Sequence, residues 1–132
     1  MSGFRPLRKG KPAKTKSSGY LFDSRFESNL HMWLCDKQEK GEIRELKVKP
    51  NVLLTRAKIR MIPDFSAVDA KTNETVYHEA KGFETDIWRI KRRLWEHYGP
   101  GKLIVYKGSG TRFGVYEEII PTNITPPDEV LP

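Results

Sequence analysis

Cysteine is almost missing from this chain. Cys35 stands alone, so no internal disulfide is possible, and it has no Cys or His neighbour at zinc-ligand spacing. It reads as a half-buried helix residue. Long apolar runs are missing as well: they extend over only a few residues, whereas a membrane-crossing helix needs about 20. The basic N-terminus continues into Ser, Gly and Lys with no apolar segment behind it. That is not the pattern of a secretory signal, and a cytoplasmic protein with no membrane partner is expected. His31, His78 and His97 share no spacing that would gather a metal ion, and they read as structural or exposed.

Acidic residues are absent from the first 22 positions. Arg5, Arg8, Lys9, Lys11, Lys14 and Lys16 lie there, and without those six the net charge of +7 falls to +1 for the remainder. Lys, Arg, Gly, Pro and Ser in such proportion cannot pack a core. Residues 1–20 are therefore expected to be a basic arm, disordered until it meets a polyanion. Nucleic acid is the leading partner, with all six basic residues as contacts; a solubilising tail or a targeting signal is the alternative.

What remains is enough for one domain. A chain of 132 residues with 37% hydrophobic content can bury a single core of a few strands and helices. Residues 21–120 are expected to form it, and 121–132, with four prolines, to run on as an extended tail.

Within that domain the apolar period changes from segment to segment. Phe22, Phe26, Leu30, Trp33, Leu34 and Lys37 recur at three- and four-residue intervals, which predicts an amphipathic helix capped by Asp23 or Ser24 and ended at Gly41. Ile43, Leu46 and Val48, then Val52 to Leu54, read as one or two strands. Ile59–Val68 and Thr75–Lys81 read as antiparallel neighbours joined by the polar turn Asp69–Glu74. Thr85 caps a second helix with Ile87, Ile90, Leu94 and Tyr98 at helical spacing and Arg89, Lys91, Arg92 and Arg93 as a basic flank. Trp88 and Trp95, seven residues apart on it, suit core or interface positions better than base-stacking platforms. Gly99-Pro100-Gly101 stops this helix, Leu103–Tyr106 is a short buried strand, and a last turn lies around Tyr116 to Ile120. The order predicts an α/β fold in which a mixed central sheet is flanked by helices.

The chemistry concentrates on the hairpin. Pro63-Asp64 opens one strand and Glu79-Ala80-Lys81 closes the next. Strand side chains alternate, so Glu79 and Lys81 share a face, and pairing across the turn brings Asp64 level with Glu79. Two carboxylates and an amine then converge. Carboxylate oxygens hold a hard cation such as Mg²⁺ while leaving positions open for water and a phosphate oxygen. Such an ion makes water a better nucleophile and stabilises charge on phosphorus. Lys81 would orient the attacking water, and the small Ala80 would let its backbone carbonyl reach the ion.

Pro63-Asp64 followed by Glu79-Ala80-Lys81 resembles the bipartite signature of the PD-(D/E)xK nucleases, over a core from about Phe22 to Tyr106. The resemblance implies a restriction-endonuclease-like sheet, Mg²⁺ with Mn²⁺ as a substitute, and Glu27 on the preceding helix as a further acidic ligand. Catalysis would rest on Glu27, Asp64, Glu79 and Lys81, and metal binding on Glu27, Asp64, Glu79 and Ala80. DNA contacts would come from the arm, Arg25, Arg89, Lys91, Arg92 and Arg93. Within the superfamily the chain is similar to compact archaeal and phage endonucleases that resolve Holliday junctions as homodimers. A junction-cutting enzyme, working in the bacterial host cytoplasm if phage-borne, is the expectation. The serine-bearing catalytic loop of the archaeal resolvases has no counterpart here. A non-catalytic nucleic-acid-binding module and a less selective nicking or restriction-type nuclease are the other readings.

Overall fold

Ser24 starts the first helix: its hydroxyl accepts the Glu27 amide at 3.1 Å, satisfying one of the donors that a helix N-terminus leaves open. Helix α1 (Arg25–Glu39) ends at Lys40, and Gly41 follows at φ +80°, a conformation that costs glycine little. The computed structural model describes residues 15–17, 20–22, 24–108 and 115–122. Ahead of α1, β1 (Thr15–Ser17) pairs antiparallel with β2 (Tyr20–Phe22), and both lie against the helix. At the end of the segment expected to be disordered, Thr15–Ser17 and Tyr20–Phe22 are thus paired strands, and Phe22 belongs to a strand and not to the helix; Thr, Tyr and Phe favour extended backbone. Arg5, Arg8, Lys9, Lys11 and Lys14 lie outside the described residues, and Lys16 is on β1.

Strand β3 (Ile43–Val48) follows, then a small antiparallel ribbon of β4 (Val52–Leu53) and β5 (Arg60–Met61). β6 (Phe65–Asp69) and β7 (Thr75–Lys81) form the expected hairpin, with Phe65 opposite His78 and Val68 opposite Thr75. Its turn is closed by Asp69, whose Oδ1 accepts the amides of Lys71 at 2.8 Å and Thr72 at 3.1 Å. Helix α2 (Asp86–Tyr98), capped by Thr85, then crosses over to β8 (Leu103–Lys107), which runs parallel to β7. The segment read as a last turn is strand β9 (Tyr116–Ile119), antiparallel to β8; Tyr106 and Tyr116 pair across it.

The result is a mixed five-stranded sheet, ordered β3-β6-β7-β8-β9, with one helix on each face. On one face Phe26, Leu30 and Leu34 of α1 pack on Phe65, Ala67 and Tyr106. On the other, Trp88 and Trp95 of α2 join Leu103, Val105, Ile119 and the ribbon residues Val52 and Met61. The inward face of α2 is therefore set by the two tryptophans. Ile87 and Ile90, whose spacing suggested the apolar face, are 66% and 62% exposed. An indole buries far more apolar area than an isoleucine, and the helix turns accordingly. Trp95 also donates from Nε1 to the Gly101 carbonyl at 2.9 Å, locking the helix to the crossover loop. Among the described residues no helix is long and apolar enough to cross a membrane.

Candidate active site

The pairing of β6 with β7 ends at Phe65 and His78, and the next residue of each segment, Asp64 and Glu79, lies beside the other. Two hydrogen bonds hold them there. The Asp64 amide donates to Glu79 Oε1 at 3.1 Å, and the Ala80 amide donates to Asp64 Oδ2 at 2.8 Å. Pro63, fully buried, anchors the chain just ahead. Glu79 and Lys81 share a face as alternation requires, and Lys81 Nζ lies 3.0 Å from Glu79 Oε2. The same ammonium sits 4.4 Å from the centre of the Trp88 ring, so α2 fixes it from the far side.

Glu27 enters from the first turn of α1, where the helix dipole favours an acid, and its side chain is buried. The cluster wraps the end of the strands, with Glu27 arriving from the α1 side and Glu79 and Lys81 from the α2 side. Lys49, just past β3, joins it: its Nζ lies 2.7 Å from Glu27 Oε2 and 3.8 Å from Asp64 Oδ1. Burial pushes the Asp64 carboxyl well above its usual range, and the neighbouring charges of Glu79 and Glu27 push in the same direction. Burial raises Glu79 as well, against the pull of Lys81.

All four residues expected to carry catalysis thus meet at one place, with Ala80 between them. No known family model matches the chain, and no curated protein does. What the site can do therefore rests on its own side chains. Among the described residues no group of three His, Cys, Asp and Glu side chains stands ready arranged to hold an ion, and Glu27 is closed onto Lys49. The chemistry of the donor set nevertheless fits a hard divalent cation: Glu27, Asp64 and Glu79 offer carboxylate oxygens, and all three are buried close enough for their charges to oppose one another.

The expected DNA contacts divide by position. Lys91 lines the groove that holds Glu79, Lys81, Ile62 and Ile87. Arg89 and Arg93 lie on the exposed side of α2, Arg89 paired with Asp86 at 3.0 Å, and Arg25 is exposed at the start of α1. Arg92 is turned the other way, ion-paired to Glu117 on β9 and to Glu96 at 3.6 Å, which makes it a clamp between α2 and the sheet edge. His31 and His78 are buried on the α1 face, where His78 Nδ1 meets the Tyr106 hydroxyl at 2.9 Å. Cys35 is half-buried on α1, as expected.

Sequence reasoning missed Lys49 and the support that Trp88 gives to Lys81. The first is set by β3 pairing with β6, in which Val48 opposes Phe65 and the next residue falls beside Asp64. No local signal marks it.

Proposed function

We propose that the chain is a metal-dependent, structure-selective DNA endonuclease of the PD-(D/E)xK type, with a restriction-endonuclease-like core, that cuts four-way or otherwise branched DNA. The observation that carries the reading is the convergence of Glu27, Asp64 and Glu79 with Lys81 fixed 3.0 Å from Glu79. Isolated acids and lysines at strand ends are ordinarily solvated, whereas these carboxylates are buried together. That arrangement is costly for folding alone and suits a site that receives a cation.

Asp64, Glu79, Glu27 and the Ala80 carbonyl would hold Mg²⁺, with Mn²⁺ as a substitute. Such an ion lowers the pKa of bound water and stabilises negative charge on phosphorus. Asp64 is fixed by the Ala80 amide and so presents its carboxylate in one orientation. Lys81, held over Trp88, orients water and offsets charge on a phosphate oxygen without being a metal ligand. Lys91, Arg89, Arg93, Arg25 and the basic arm supply phosphate contacts that position the strand without reading bases. Paired cuts across a junction need two such sites, which a twofold homodimer provides.

The test is cleavage of a labelled four-way junction beside matching linear duplex and single strand, with Mg²⁺ or EDTA, by wild type and Asp64→Ala. Paired Mg²⁺-dependent cuts in the junction, lost in the variant, are expected. Cuts in every substrate would keep the nuclease and remove the selectivity. Tight binding with no cleavage would make the chain a DNA-attachment module.

A further inference from the structure

Two lysines meet the three carboxylates, and they are held in opposite ways. Lys81 has a side chain only 21% exposed, wedged between Glu79 at 3.0 Å and the Trp88 ring at 4.4 Å. Leaving the site would cost it both contacts. The Lys49 side chain is 42% exposed, although its ammonium lies 2.7 Å from Glu27 Oε2 and 3.8 Å from Asp64 Oδ1. Its root, by contrast, is pinned: the Lys49 amide donates to the Asp64 carbonyl at 2.7 Å, and the backbone sits at φ +54°, which a lysine rarely adopts. Lys49 therefore has a fixed origin beside Asp64 and a tip that a flexible four-carbon stem can carry into water.

The carboxylates have no such freedom. The side chains of Glu27 and Glu79 are 6% and 9% exposed, and Asp64 is tied to the Ala80 amide at 2.8 Å. Formally, three carboxylates and two ammoniums leave one net negative charge. A divalent ion that takes the place of the Lys49 ammonium brings the cluster to neutrality. An ion that enters while Lys49 stays would leave it positive and would have to share Glu27 with an ammonium already at hydrogen-bond distance.

We propose that Lys49 is an internal placeholder cation: its ammonium occupies the position between Glu27 and Asp64 until a divalent ion displaces it, and it thereby sets the metal affinity of the site. The inference rests on the metal-dependent reading above and concerns the regulation of that same site. The placeholder keeps the carboxylates neutralised in the metal-free protein and weakens ion binding. The site then loads in response to the free divalent-ion concentration and does not hold an ion permanently.

The experiment is calorimetric titration of the full chain with Mn²⁺ alone, using wild type, Lys49→Met, Lys49→Gln, Lys49→Arg and Asp64→Ala, with thermal unfolding of each with and without Mn²⁺. Lys49→Met is expected to bind Mn²⁺ about ten- to a hundredfold more tightly than wild type, the factor that one charge-assisted hydrogen bond represents. Lys49→Gln keeps a donor for Glu27 without the charge and is expected to move in the same direction. Lys49→Arg stays within a few-fold of wild type. Without ion Lys49→Met unfolds at a lower temperature than wild type, and Mn²⁺ raises its midpoint by more. Equal Mn²⁺ affinity in wild type, Lys49→Met and Lys49→Gln would overturn the placeholder while leaving the site intact. Mn²⁺ binding absent from every protein, or unaffected by Asp64→Ala, would overturn the metal site itself and the placeholder with it.

Discussion

Asp64 and Glu79 are bonded through backbone as well as placed side by side: the Asp64 amide donates to Glu79 Oε1 at 3.1 Å, and Asp64 Oδ2 takes the amide of Ala80, the next residue along β7, at 2.8 Å. The pair is locked by the hairpin that brings it together. Burial raises both carboxyls; the charges of Glu79 and Glu27 push Asp64 further up, and the charge of Glu27 does the same to Glu79.

Removing one of these charges should therefore help the fold while ending the cleavage proposed for the site. Asp64→Asn keeps an oxygen for the Ala80 amide but no longer repels Glu79 and Glu27. Its unfolding midpoint in EDTA is expected to rise by a few degrees, about 1 kcal/mol, and its Mg²⁺-dependent cleavage to fall by about a thousandfold or more. A midpoint lowered in EDTA would mean that the carboxylate stabilises the metal-free protein.

Lys81 depends on the Trp88 ring for its position. Trp88→Phe leaves a smaller ring with a weaker pull on the ammonium. The single-turnover cleavage rate is expected to drop by up to about fivefold, in proportion to a cation–π contact of roughly 1 kcal/mol, with DNA affinity little changed. An equal loss in rate and affinity would place Trp88 in DNA binding.

The basic residues of α2 should separate by salt dependence. Ala at Arg89, Lys91 or Arg93 is expected to lower the slope of log K against log salt by about 0.9 each, the release from one phosphate contact. Arg92→Ala should leave that slope alone and cost about 0.5–1 kcal/mol of stability instead, because its guanidinium clamps Glu117 and Glu96 at the protein surface. A reduced slope for Arg92→Ala would return it to the DNA contacts.

His78 predicts an acid sensitivity. Burial, with Lys37 and Lys102 adding to it, holds its imidazole down to about 4 from an ordinary 6.5. Between those values the unfolded chain binds the proton and the folded one does not, so His78 contributes stability that is complete above pH 6.5 and is lost as pH falls toward 4, in total about 3 kcal/mol. The raised carboxylates Asp64 and Glu79 act in the opposite sense, gaining stability on acidification. The measurement is therefore the difference between wild type and His78→Asn, whose amide keeps a partner for the Tyr106 hydroxyl. That difference should shift in favour of the variant from pH 7 to pH 4.5, and a constant difference would exclude His78 as the acid-sensitive group.

Much was legible locally. The three- and four-residue period from Phe26 to Leu34, a cap at Asp23 or Ser24 and another at Thr85, the polar turn at Asp69 and the strand alternation that puts Glu79 with Lys81 are all short-range properties, set by backbone geometry within a few residues. They determined two helices, the central hairpin and the meeting of Asp64 with Glu79. Other features depended on partners distant in the chain. The inward face of α2 was legible in part: Trp88 and Trp95 are core residues as their spacing suggested, but the area they bury against β8 and β9 leaves Ile87 and Ile90 outside. The segment at Tyr116 became a strand because β8 offered an open edge to pair with. Arg92 turned inward because Glu117 stands on that strand. Lys49 reached the carboxylates because β3 pairs with β6, a contact whose register no local pattern of residues 43–49 contains. Hydrophobic period and turn chemistry are written in neighbouring residues; the choice of face, edge and counter-charge is made only when distant segments compete for the same surface.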